Sequence, residues 1–173
     1  MLDASHRPKT VKGISITREV VVAVDPKAAF DFVSAEDVLP KVLTGYGLIP
    51  AVLKTSGNTG PWEKPGSVRT VHLADGNTAR EEVTDYDNPA YFAYRVSDFT
   101  FAVRHLANEA RGQWWFTPVK GGTNVLWTYT FQPHNGLTGL PLSLFVHTQW
   151  AGYMNICMSN VKRHLNTRAG EVR

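Results

Sequence analysis

The apolar residues of this chain change period near residue 135, and that change restricts what the chain can fold into. Before it, they alternate in short runs. After it, Leu142, Phe145, Val146, Gln149, Tyr153, Ile156, Cys157, Asn160, Val161 and Leu165 follow steps of three and four, which predicts one face of a helix. Pro141 suits its first turn and Gly170 lies beyond its end. Such a helix has roughly 25 residues and is about 37 Å long. Strands followed by one long helix imply that the helix lies across one face of a sheet.

The alternating part supplies that sheet. Ile14, Ile16, Val20, Val22 and Val24 share one parity, the pattern of a half-buried strand. Asp25-Pro26 ends it and opens a helix, because Asp caps well and Pro is favoured at the first helical position. Ala28, Ala29, Phe30, Phe32 and Val33 carry that helix for about two turns. A second short helix is expected over 36–43, with Pro40 inside it. Further strands are expected over 48–54, 67–73, 78–86, 91–96, 109–117 and 125–131. Turn signals separate most of them: Asp75-Gly76, Asp87-Asn88-Pro89 and Lys120-Gly121-Gly122. Hairpin-length spacing predicts an antiparallel sheet rather than βαβ units. Residues 1–11 are largely polar and carry Pro8, so a mobile arm is expected ahead of a single domain over 12–168.

Composition removes several function classes. The net charge of +3 is small, and cations gather only loosely at Lys162, Arg163, His164, Arg168 and Arg173, so no nucleic-acid partner is expected. The single cysteine, Cys157, excludes an intramolecular disulfide and a Cys-rich zinc site, and fits a reducing cytoplasm. It falls on the expected buried helix face, where a thiol is inert. The most apolar long stretch, 137–154, carries Thr138, Ser143, His147, Thr148 and Gln149, which is too polar for stable membrane insertion. No signal-peptide core is evident at the N-terminus. Phosphate-loop, dinucleotide, HExxH and GxSxG patterns are absent. The six histidines are dispersed, so neither a metal nor a cofactor is expected. Homodimerisation is left open.

The order of elements, with VVVAVDPKAAFDFV, GSVRTVHLADGNTAREEVTDYDNPAYFAYRV and WWFTPVKGGTNVLWTYTFQP, resembles the START-like (SRPBCC) helix-grip superfamily. The nearest branch is that of polyketide cyclase/dehydrase and lipid-transport proteins. The resemblance spans roughly residues 12–165. It implies an α+β fold in which a curved antiparallel sheet of about seven strands wraps a long C-terminal helix, with two short helices after the first strand. It further implies a cavity between sheet and helix for a hydrophobic small molecule such as a lipid, polyketide or aromatic compound. The function so implied is binding or transport. The alternatives are a cyclase, dehydratase or aromatase acting on a polyketide-like substrate, and an interaction module whose cavity is vestigial.

The aromatic content of 11% either lines a cavity or fills it. The expected ligand-binding residues are His72, Tyr94, Trp114, Phe116, Trp127, Tyr129, Phe145, Gln149 and Tyr153. Arg95 and His147 join the polar candidates for acid–base or carbonyl-polarising roles, and no catalytic assignment follows. Trp62, in the stiff loop SGNTGPWEKPG, is expected at the pocket entrance or as a buried loop anchor. Glu81 and Glu82 are neighbours on one strand, so one faces in and one out; register alone decides which.

Overall fold

The computed structural model describes residues 12–171. The arm expected at residues 1–11 lies outside the described residues. Seven strands form one antiparallel sheet: β1 (Ile14–Val22), β2 (Val52–Ser56), β3 (Val68–Leu73), β4 (Thr78–Asp87), β5 (Tyr91–Ser97), β6 (Ala107–Val119) and β7 (Gly122–Pro133). Their order across the sheet is β1-β7-β6-β5-β4-β3-β2. The first strand therefore pairs with the last, and the chain between them runs as a meander back from β2.

Helix α1 (Pro26–Val33) begins as the sequence requires, with the Asp25 carboxylate accepting from the Ala28 N–H at 2.9 Å. The second helix, α2, is shorter than expected and spans only Leu39–Val42. Pro40 sits in its first turn, where the missing N–H leaves no intrahelical bond unmade, and it could not sit deeper. The strand expected over 48–54 also shifts, to Val52–Ser56. Tyr46 and Ile49 exchange backbone hydrogen bonds at 2.9 and 2.8 Å, closing a tight turn that holds Gly47 at φ 55° and leaves Leu48 at its tip. That turn consumes the residues the alternation had assigned to β2. A short 3₁₀ turn, Ala102–His105, joins β5 to β6.

The C-terminal helix starts earlier than expected. Helix α3 (Gly136–Phe145) is capped by the Asn135 side chain, which accepts from the Leu137 and Thr138 N–H groups at 2.9 and 3.1 Å. Pro141 therefore lies inside the helix rather than at its start. A wide π turn, Val146–Trp150, follows, and helix α4 (Ala151–Glu171) completes the run, carrying Gly170 within it. In the wide turn the Ala151 N–H reaches the Val146 carbonyl, five residues back. The extra residue rotates everything after it. Trp150 rather than Gln149 turns to the sheet, Met154 and Met158 join the core, and Ile156, expected on the buried face, is 37% exposed.

The core lies between the sheet's inner face and this helix. At one end Phe30 of α1 meets Tyr86 and Phe116 with ring centroids 5.0 and 5.2 Å apart. At the other, Trp150 meets Tyr129, Phe131 and Tyr153 at 4.6, 5.0 and 5.0 Å. A bulge between Val83 and Asp85 reverses the parity of β4, which lets Tyr86 face α1 while Ala79, Glu81 and Val83 face the helix side.

The phase of the helix is testable by truncation. Met154→Ala, at a fully buried position, is expected to lower unfolding free energy in urea by about 2–5 kcal/mol. Ile156→Ala should cost less than about 1 kcal/mol. The unbroken 3.6-residue pattern would give the larger loss at Ile156.

Candidate ligand-binding site

Strands β3 and β4 place Arg69 directly opposite Glu81, both on the inner face. Each is almost fully buried, so the pair has to satisfy itself. Arg69 Nε donates to Glu81 Oε2 at 2.7 Å, and Nη2 lies 2.7 Å from the same oxygen. Arg69 Nη1 donates to the Glu36 carbonyl at 2.8 Å, and the guanidinium rests 3.7 Å from the centroid of the Trp62 ring. Glu81 is thus the inward glutamate. Glu82 faces out and bonds Arg95 and Arg80 at 2.8 and 3.0 Å; these hydrogen bonds hold its carboxyl below the usual range.

Glu81 borders two small interior cavities. One, of about 60 Å³, lies among Leu39, Leu43, Ile49, Phe99, Phe101 and Trp150, with the three tyrosines Tyr94, Tyr129 and Tyr153 on its wall. The other, of about 20 Å³, lies between α2 and the Trp114–Trp127 pair, whose rings stack at 4.6 Å and 8°. The larger has room for a few water molecules; a cavity that admits benzene is about 150 Å³. The aromatic side chains therefore fill most of the space that the fold leaves between sheet and helix. Helix α2 covers this region, and the buried Asn160 of α4 ties it down by donating to the Val42 carbonyl and to Thr44 Oγ1 at 3.0 and 3.1 Å.

The polar groups here are incompletely paired. Both Arg69 contacts go to Oε2 of Glu81. The indole N–H groups of Trp127 and Trp150 are buried without a hydrogen-bond partner. Burial pushes the Tyr94 hydroxyl's pKa well up, and the Glu81 charge adds to this; the indoles of Trp114 and Trp127 on its side oppose the rise weakly. Tyr129 is raised by burial, by Tyr94 and by Glu81, and Tyr153 by burial, by Cys157 and by Glu81. The negative carboxylate therefore faces three hydroxyls that stay protonated. Burial also raises Cys157, leaving an inert thiol.

Of the expected ligand-binding residues, the fold brings Tyr94, Trp114, Trp127, Tyr129 and Tyr153 together around these cavities. The other four are elsewhere. His72 points to the opposite face, where its Nε2 is 2.7 Å from Ser56 Oγ. Phe116 packs on Phe30 at the far end. Phe145 stands behind Trp150 at 6.4 Å. The Gln149 Oε1 accepts from the Leu48 N–H at 3.2 Å, a consequence of the wide turn. Trp62 does not border the interior cavities; clamped on Arg69, it is a buried anchor beside a surface groove of about 330 Å³. Arg95 is on the outer face with Glu82, and the His147 Nδ1 lies 2.8 Å from the Ser143 carbonyl on the exposed side of the helix.

Sequence reasoning missed Trp150, Phe99 and Phe101, and left the partner of the inward glutamate open among Arg69, Arg80 and Arg95. The Arg69–Glu81 pair had a readable signal, since residues 69 and 81 stand opposite in a hairpin centred on Asp75. Among the described residues no group of three or more His, Cys, Asp or Glu could hold a metal ion, and no helix is long and apolar enough to cross a membrane.

The model of the family of polyketide cyclase / dehydrase and lipid transport proteins matches residues 13–166. Comparison with curated proteins gives no match. Among solved structures, Ara h 8.0201 superposes with a TM-score of 0.69 at 16% identity, covering 87% of this chain and 96% of that one. The di-domain ARO/CYC StfQ of the steffimycin biosynthetic pathway gives 0.68 at 16% identity, over 91% of this chain and 52% of its own, so this chain spans about half of it. Major latex-like protein 151 from Panax ginseng gives 0.66 at 13% identity, over 87% and 96%. These likenesses are of fold: a curved seven-stranded sheet gripping a C-terminal helix.

Two outcomes test the buried polar set. Glu81→Leu alone strands the Arg69 charge and should lower stability by about 3–5 kcal/mol, whereas Arg69→Met with Glu81→Leu should come close to wild type. Equal losses in both would show that the pair is not mutually dependent. In alkaline titration, Tyr94, Tyr129 and Tyr153 should form phenolate only as the protein unfolds. Their folded pKa values exceed the unfolded value of about 10, so their contribution is complete below that pH and is lost as pH rises above it. Reversible ionisation of all tyrosines in the folded state would contradict this.

Proposed function

Since the chain belongs to the family of polyketide cyclase / dehydrase and lipid transport proteins, we propose that it binds a hydrophobic, aromatic small molecule between the sheet and the C-terminal helix. The carrying observation is the pair of buried, unpartnered indole N–H groups of Trp127 and Trp150, two residues that border the larger cavity together with Glu81. Buried donors without acceptors cost about 1–3 kcal/mol each, and a ligand carbonyl or ether oxygen offsets that cost. Aromatic walls suit a flat guest.

The guest needs more room than this cavity offers, so binding widens the site. The element that yields most easily is the Phe99–Phe101 connection, which lies outside the strands; α2, with Leu39 and Leu43, moves only when its Asn160 hydrogen bonds break. Carriage in the cytoplasm is the form of this function that a single buried thiol and an apolar interior support. The protonated Tyr129 and Tyr153 hydroxyls favour a second reading, in which they hydrogen-bond the carbonyls of a polyketide-like chain during cyclisation or dehydration. Carriage returns the ligand unchanged, whereas dehydration leaves a product lighter by one water.

Calorimetric titration with 2-acetylnaphthalene and 2-ethylnaphthalene separates these contributions. Both should bind at one site per chain, the ketone about five- to tenfold more tightly, as one net hydrogen bond allows. Trp150→Phe should narrow that preference while leaving 2-ethylnaphthalene binding in place. Absence of saturable binding for either probe would defeat the reading, and equal affinities would remove the indoles from it.

A further inference from the structure

Helix α3 is apolar on both sides. Leu142 and Val146 are fully buried against the core, as a surface helix requires. The outer face should then be polar. Instead Leu137, Leu140 and Leu144 stand there, 89%, 83% and 67% exposed, at positions i, i+3 and i+7, with the exposed Pro141 between them. Leu48, 85% exposed, extends this face, because its N–H is bonded to Gln149 Oε1 one turn beyond Leu144. Four leucines at that exposure on one side exceed the scattered apolar residues of an ordinary surface. A helix that is apolar all round implies a cover.

The surrounding charge says what kind. From Ala110 to Gly170 the sequence has no Asp or Glu. An open groove of about 680 Å³ beside Leu140 is lined by Lys12, Gln132 and Ser143 with apolar and glycine neighbours, and by no carboxylate. Arg104 and His105 are exposed near the start of α3, where the ring of His134 bonds the Arg104 carbonyl. His147 stands on the exposed side one turn past Leu144. Protruding leucines on a stretch of chain without carboxylates, with Lys12 and Arg104 nearby, match the chemistry of a helix lying in an anionic lipid surface.

We propose that the outer face of α3, through Leu137, Leu140 and Leu144 with Leu48 beside them, docks the protein reversibly on an anionic lipid bilayer. The helix lies in the headgroup layer and does not span. Ile49 follows Leu48 directly, and Trp150 follows Gln149, which holds the Leu48 N–H; both border the interior cavity, so docking brings the site towards the lipid surface. The docking does not depend on what that cavity holds.

Vesicle co-sedimentation of the full chain tests it, using phosphatidylcholine vesicles with and without about 30% phosphatidylglycerol. Wild type should partition at least about tenfold more strongly to the anionic vesicles, and high salt should weaken this. The triple variant Leu137→Ser, Leu140→Ser, Leu144→Ser should lose about tenfold or more with an unchanged melting temperature, since these side chains touch little of the core. Failure of wild type to bind either vesicle would overturn the proposal, as would equal binding by the triple variant or equal binding to neutral vesicles. A wild-type dimer that the triple variant disperses, without vesicle binding, would show that a second copy covers the face.

Discussion

Trp150 stands where the wide turn of the C-terminal helix meets β7, its ring against Tyr129, Phe131 and Tyr153 at 4.6–5.0 Å. This contact sets the rotation of the helix on the sheet, and much else follows from that rotation. Because Trp150 occupies the inner face, Met154, Cys157, Met158, Val161 and Leu165 follow it into the core, and Asn160 arrives where it can hold α2 across the gap. The same rotation turns Gln149 sideways to the Leu48 turn. One residue inserted into a helix thus decides which aromatic rings meet and how little space remains between helix and sheet.

What remains is apolar in its walls and polar at one spot. A buried Arg–Glu pair is a weak source of stability, because removing two charges from water offsets most of their attraction. Its presence in an otherwise aromatic interior, next to indole donors without acceptors, is better explained by recognition than by folding. A chain selected for stability alone would fill these positions with apolar side chains of similar volume. The tyrosines reinforce the point. Held protonated by burial and by the facing carboxylate, they can donate to a guest but do not readily carry negative charge themselves.

The architecture was legible in the residues because it rests on periodicities that burial enforces. Val125, Trp127, Tyr129 and Phe131 alternate because β7 has one covered face, and Asp25-Pro26 caps α1 through its own chemistry. The failures came where a local irregularity shifts phase. The wide turn at Val146–Trp150 has no sequence marker, so Trp150 was missed and Ile156 was placed inside. The bulge after Val83 likewise separates Glu81 from Tyr86 in parity. Trp62 shows a different limit: an aromatic between Gly and Pro reads equally as gate or anchor, and only the Arg69 guanidinium beneath it decides.

The leucine face and the interior site lie on successive parts of one helical run, the leucines facing out from α3 and Trp150 facing in from the wide turn that follows. On the proposed reading, carriage of apolar molecules needs both a dry interior and a way to reach the phase where such molecules reside, and one helical run would join the two. The central claim is that the interior receives a guest. Native mass spectrometry of the full chain, purified gently from the cells that make it, tests this most directly. The account predicts one apolar small molecule per chain, released on denaturation. A bare chain mass, with a melting temperature unmoved by apolar aromatic compounds, would contradict it and leave a filled core with no binding role.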